Sequence, residues 1–104
     1  MNYMLFSKWQ DRVDYSAEGP QPQPQVLEEN EKFKVILAGL EPSQKIPEHP
    51  EATGVYHFLS GEGVMIVDGE SVAVSAGMTL IVPQGASRGL EPKTRMAFLA
   101  VRVA

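Results

Sequence analysis

His49 and His57 are the only two imidazoles in this chain of 104 residues, and it holds no cysteine. Disulfides, zinc–thiolate sites, iron–sulfur clusters and cysteine nucleophiles are therefore excluded together. Glu48 and Glu51 flank His49, and a mixed His/carboxylate set is one way to hold a divalent ion. Neighbouring parity opposes Glu48, and Glu51 falls in the turn that follows, so solvated carboxylates are the plainer reading. Arg88 brings five fixed donors suited to bidentate capture of a carboxylate or phosphate. Alternatively it pairs with Glu51 or another internal acid, or swings out past Gly89 into water. Tyr56 and Phe58 share the face of Gly54, either as core or as a stacking wall for a ligand. His57 lies three positions past Gly54 and falls on the opposite face, so pairing it with His49 needs a strand irregularity. Ser87 has no His/Asp partner at a spacing that would make it a nucleophile. Gly61-Glu62-Gly63 lacks the following helix that a phosphate-cradling loop requires.

The elements that position these residues read as β. Phe33–Leu40 is a strand-length apolar run preceded by the acidic turn Glu28-Glu29-Asn30-Glu31. Val55–Leu59 is another, and Val64–Val67 and Val72–Val74 flank Asp68-Gly69, a hairpin signal because a type I′ turn needs positive φ. Thr79–Val82 stops at Pro83, and Arg95–Val103 closes the chain. In that last strand Met96, Phe98, Ala100 and Arg102 point one way, and Arg95, Ala97, Leu99, Val101 and Val103 the other. Both faces are mostly apolar, so a second layer must cover the outer one: the N-terminal arm or another subunit, with a homodimer the commonest solution. Residues 1–24 form that arm. Leu5, Trp9 and Val13 fit helical spacing while Tyr3, Leu5 and Ser7 fit a strand, and Gly19 to Pro24 is a stiff polyproline-like connector. Residues 25–104 form a single all-β sandwich or barrel.

Composition narrows the function classes. With 43 % apolar residues the chain is an ordinary globular one rather than a disordered one. A net charge of −4 argues against nucleic acid, whose phosphates need basic partners. No apolar run approaches a membrane span and no leader pattern opens the chain, so a cytoplasmic location is the expectation.

The segment Glu41–Pro92 resembles the cupin family of small jelly-roll barrels. His49-Pro50-Glu51-Ala52 followed by Val55–Gly61 has the cadence of that family's first motif through its closing glycine. Gly77-Met78-Thr79-Leu80-Ile81-Val82-Pro83-Gln84-Gly85 reproduces the Gly-x5-Pro-x-Gly frame of the second. The stretch between Gly61 and Gly77 is short, as in small microbial cupins. The resemblance implies a double-stranded β-helix, with Gly61 and Gly85 at backbone angles that a Cβ opposes. In metal-binding cupins two histidines and a glutamate of the first motif, with a histidine of the second, hold one ion inside the barrel. Carried over, these positions are Pro47, His49, Gly54 (or Thr53 with the shorter spacing) and Arg88, and the second motif's asparagine is Pro92. One ligand of four remains, too few for the usual metal, and a guanidinium repels a cation.

The expectation is a cupin without the family's metal or another cofactor, binding a small anionic or sugar-like molecule at His49, Tyr56, Phe58 and Arg88. The first alternative is a metal-dependent enzyme of isomerase, dioxygenase or decarboxylase type, rebuilt around His49 and Glu51, with His57 a weaker candidate. A weaker variant is a metal-free isomerase with His49 as base. A further alternative is a ligand-free dimerisation module. Whether the chain is an enzyme stays open at this point, since the fold licenses no particular reaction.

Overall fold

A computed structural model describes residues 2–104. Nine strands follow one another: β1 (Gln25–Glu29), β2 (Phe33–Leu40), β3 (Ile46–Pro50), β4 (Thr53–Ser60), β5 (Glu62–Val67), β6 (Glu70–Ser75), β7 (Thr79–Val82), β8 (Ser87–Pro92) and β9 (Met96–Val103). They form two antiparallel sheets, ordered β1-β2-β9-β4-β7 and β3-β8-β5-β6. The chain crosses between sheets repeatedly, and their inner faces enclose one core in the double-stranded β-helix arrangement.

The local chemistry accounts for the turns. Asp68 and Gly69 both adopt positive φ, 49° and 82°, and link Val67 to Glu70 as a two-residue hairpin. Gly61 sits at φ 76°, and a side chain there would run into the carbonyl of Arg95 and the Cβ of Met96, so only glycine fits. Pro47 and Pro50 lie on β3, an edge strand, where a missing ladder N–H is tolerated.

The barrel is closed at one end and open at the other. Its inward residues form cross-strand rows across β2, β9 and β4. Ala38, Phe98 and Phe58 make the floor, with Leu40 and Met96 beyond them, all 1 % exposed or less. Phe98 sits against both Phe58 and Tyr56 at centroid distances of 6.2 and 5.9 Å. The next row, Ile36, Ala100 and Tyr56, is packed against this core, with Ile36 and Tyr56 only partly buried. The last row, Lys34, Arg102 and Gly54, brings charge to the mouth.

Among its described residues the N-terminal arm settles into neither a helix nor a strand beyond one 3₁₀ turn at Trp9–Asp11. It supplies a second layer on the outer face of the larger sheet. Val13 and Tyr15 press so closely on Gly39 that a Cβ there would lie 2.6–2.7 Å from their side chains. Gly39 pairs with Ala97 of β9, so the apolar outer face at this end of β9 is covered by the chain's own arm. Buried Gln44 clips the connector that follows. Its amide donates to the carbonyls of Ala17 (2.8 Å), Gly19 (3.3 Å) and Gln21 (3.5 Å) while its oxygen accepts from Glu41 N–H.

Candidate functional site

The open end of the barrel holds a cavity of about 200 Å3 whose polar wall includes Lys34, His49, Glu51, Tyr56, Arg88 and Arg102. Ile36, Ile46, Met65, Leu90, Phe98 and Ala100 form its apolar depth, and Gln21, Pro22 and Pro24 of the clipped connector close one side.

His49 reaches this cavity through a bulge. Ile46 pairs with Leu90 and His49 with Arg88, so β3 spends three residues where β8 spends two. Simple alternation would place Ile46 and His49 on opposite faces; the extra residue brings both to the cavity. The His49 ring directs Nδ1 at the carbonyl of Pro47 (2.9 Å), which as an acceptor assigns the proton to Nδ1 and leaves Nε2 toward Glu51. Nε2 stands 3.7 Å from Glu51 Oε2, and Arg102 Nη2 stands 3.3 Å from the same oxygen. Glu51 thus pairs with Arg102 of β9 from the connecting turn, beside His49 of β3, and the sequence expectation of a merely solvated carboxylate is corrected.

Arg88 is the largest fully buried side chain, at 1 % exposure. Among the described residues no carboxylate lies within ion-pair distance of it, so neither of the simple alternatives, pairing with an internal acid or swinging into water, describes it. Instead all five donors are used inside the fold. Nε donates to Ala86 O (3.0 Å), Nη1 to Ala52 O (2.7 Å) and the Tyr56 hydroxyl (3.3 Å), and Nη2 to Glu51 O (3.3 Å) and Pro83 O (3.0 Å). A bidentate grip on a ligand would require breaking some of these bonds, so Arg88 supplies positive potential rather than free donors. Gly54 makes room for it: a Cβ at that position would stand 3.0 Å from Arg88 Nη1 and 2.8 Å from the Tyr56 ring.

The remaining candidates separate. Phe58 is fully buried against Phe98 and does not line the cavity. His57 lies between the inward residues Tyr56 and Phe58 on the outer face, with Nδ1 2.8 Å from Thr79 Oγ1, so β4 does not bring it to His49. Lys34 and Arg102 escaped the sequence reading. The signal for Arg102 was present, because strand parity groups it with Phe98 and Ala100.

The comparisons fit this architecture. The family model described as the cupin domain matches residues 34–102. The chain belongs to the cupin family. Among solved structures it resembles a conserved protein of unknown function from Streptococcus pyogenes (TM-score 0.84, 21 % identity, covering 99 % of this chain and 90 % of that one). It also resembles an uncharacterised double-stranded β-helix protein from Klebsiella pneumoniae (0.85, 22 %, 98 % and 90 %). A third is an RmlC-like cupin from Shewanella frigidimarina (0.80, 17 %, 99 % and 91 %). No curated protein matches the sequence. At these identities the likeness shows the shared fold.

The residues at the positions that the resemblance assigns to the family's metal can be compared with the geometry. Of the ligand positions only His49 keeps a ligand type, and the guanidinium of Arg88 stands over Gly54 where the glutamate and second-motif histidine would converge. Among the described residues no group of three or more His, Asp or Glu side chains gathers.

Proposed function

We propose that this cupin binds a small anionic molecule at the mouth of its barrel without a metal ion. The observation that carries the reading is a cross-strand pair of like charges. Lys34 and Arg102 face each other directly across β2 and β9, in the row that opens on the cavity. Like charges directly opposite on a sheet are unfavourable, and the buried cation of Arg88 adds to them. In a chain of net charge −4, this concentration of positive charge on a concave, partly apolar surface favours a negatively charged guest. Unfilled space at the open end supports a ligand site over a barrel that serves only as a dimerisation module.

A second reading rests on the orientation of His49. The Pro47 carbonyl accepts from Nδ1 and fixes the ring, which leaves Nε2 as the basic nitrogen, so the cavity has one group able to take up a proton. Chemistry at that position would follow binding of the anion. Elemental analysis of untagged protein, with ligand-detected NMR against small carboxylates and sugar phosphates, tests the main reading. Metal-free protein that binds carboxylates is the expected result. Stoichiometric metal, with melting lowered by chelator, would overturn it in favour of the metal-dependent alternative.

A further inference from the structure

We infer that the guest is a small monocarboxylate with an apolar body, held head-outward, a reading that rests on anion binding at this cavity and narrows it. Charge sets the head. Lys34 is 3.8 Å from Glu29 and Arg102 is 3.3 Å from Glu51, while Arg88 has no acidic partner among the described residues. Three cations against two carboxylates leave one positive charge to be met. A single negative charge balances it, whereas a dicarboxylate or a phosphate dianion overfills it.

Available hydrogen bonds agree with this head. Arg102 engages Glu51 through Nη2 alone, and Lys34 uses its ammonium on one distant oxygen, so both keep donors free. The Tyr56 hydroxyl accepts from Arg88, and its own proton has no acceptor among the described residues. Two carboxylate oxygens can therefore be met without disturbing the Arg88 network. Arg102 and His49 are nearly half-exposed, at 40 and 45 %, and Lys34 is 28 % exposed, which places the head at the solvent side.

The depth of the cavity sets the body. Beneath the charged row lie Ile36, Ile46, Met65, Leu90, Phe98 and Ala100, which offer no side-chain donor and only the weak acceptor of the Met65 thioether. A sugar pushed into this layer would leave hydroxyls unpaired, while a hydrocarbon is matched. The 200 Å3 volume falls below the roughly 300–1,000 Å3 typical of drug-sized ligands. Pro22 and Pro24 close the side wall, and their connector is pinned by Gln44, so a longer chain meets a stiff barrier.

The test is calorimetric titration of the full chain with acetate, 3-methylbutyrate, hexanoate, octanoate, succinate, inorganic phosphate and 3-methylbutanamide, at one ionic strength. Affinity is expected to rise at least tenfold from acetate to 3-methylbutyrate or hexanoate and to fall again for octanoate. The neutral amide is expected to bind at least tenfold more weakly than its acid. Lys34→Gln and Arg102→Gln, checked for unchanged circular dichroism, should each weaken 3-methylbutyrate several-fold. Succinate or phosphate binding more tightly than 3-methylbutyrate, or affinity independent of chain length, overturns the monocarboxylate inference while leaving anion binding intact. An amide that binds as well as the acid, or no binding by any member, overturns anion binding itself.

Discussion

Arg88 and Gly54 act as one unit at the residue scale. A guanidinium buried without a counter-ion survives because four carbonyls and one hydroxyl accept its five N–H groups, the satisfaction that burial of a charged group demands. The same contacts tie together the β3–β4 turn at Glu51 and Ala52, the β7–β8 turn at Pro83 and Ala86, and Tyr56 on β4. Replacing Arg88 with Met keeps much of the volume but strands those acceptors, and should cost about 3 kcal/mol or more. In a domain of this size that lowers Tm by roughly 10 °C or more, read by differential scanning calorimetry. An unchanged Tm would mean that water serves the carbonyls equally well. Sequence reasoning identified Arg88 as the unusual residue and placed it in the cavity. It could not show that the donors are spent, because their acceptors are backbone carbonyls whose positions exist only in the folded barrel.

The arm is the element whose placement could not be derived from its own residues. Its local pattern suits more than one conformation, and its path is set by tertiary contacts: Tyr15 against Gly39, Gln44 beneath the connector, and Arg95, whose guanidinium carbon lies 4.2 Å from the Tyr15 ring centre. Arg95 is held there by Glu41 through bonds of 2.7 and 3.0 Å. The Arg95 hydrogen bond holds the Glu41 carboxyl below the usual glutamate value. Its contribution to stability is therefore present above the unfolded-state value and is lost as pH falls through the lower folded-state one. Trp9, the single tryptophan, lies on the groove between the arm and the outer sheet face and reports on docking. Its fluorescence should change as pH falls below the ordinary glutamate range, and Glu41→Gln should remove that transition; an identical transition in the variant would place the acid-sensitive group elsewhere. The strands divide in a similar way. Phe33–Leu40 and Thr79–Val82 were legible with their ends correct, and the Asp68-Gly69 turn was read from its dipeptide. In contrast, β3 and β8 carry Pro47, Pro50, Gly89 and Pro92, residue types unfavourable to strands, and pairing across the smaller sheet makes them strands.

Taken as a whole molecule, the barrel grades from a sealed apolar floor to a cationic mouth. The gradient arises because β2, β9 and β4 run side by side with their polar ends aligned. Each strand shows its own inward face to simple alternation. The coincidence of Lys34, Arg102 and Gly54 in one row depends on strand order and register, which no local pattern encodes. That is why the fold was legible while half of the charged layer was not. The arm completes the design by closing a wall of the cavity with Pro22 and Pro24. The most direct measurement is backbone-amide NMR of the labelled protein titrated with 3-methylbutyrate. Saturable shifts clustered at Lys34, Gly54, Arg88 and Arg102, with the outer face silent, are the predicted result. Shifts confined to the groove around Met4, Trp9 and Leu99, or no saturable shift at all, would contradict a ligand site inside the barrel.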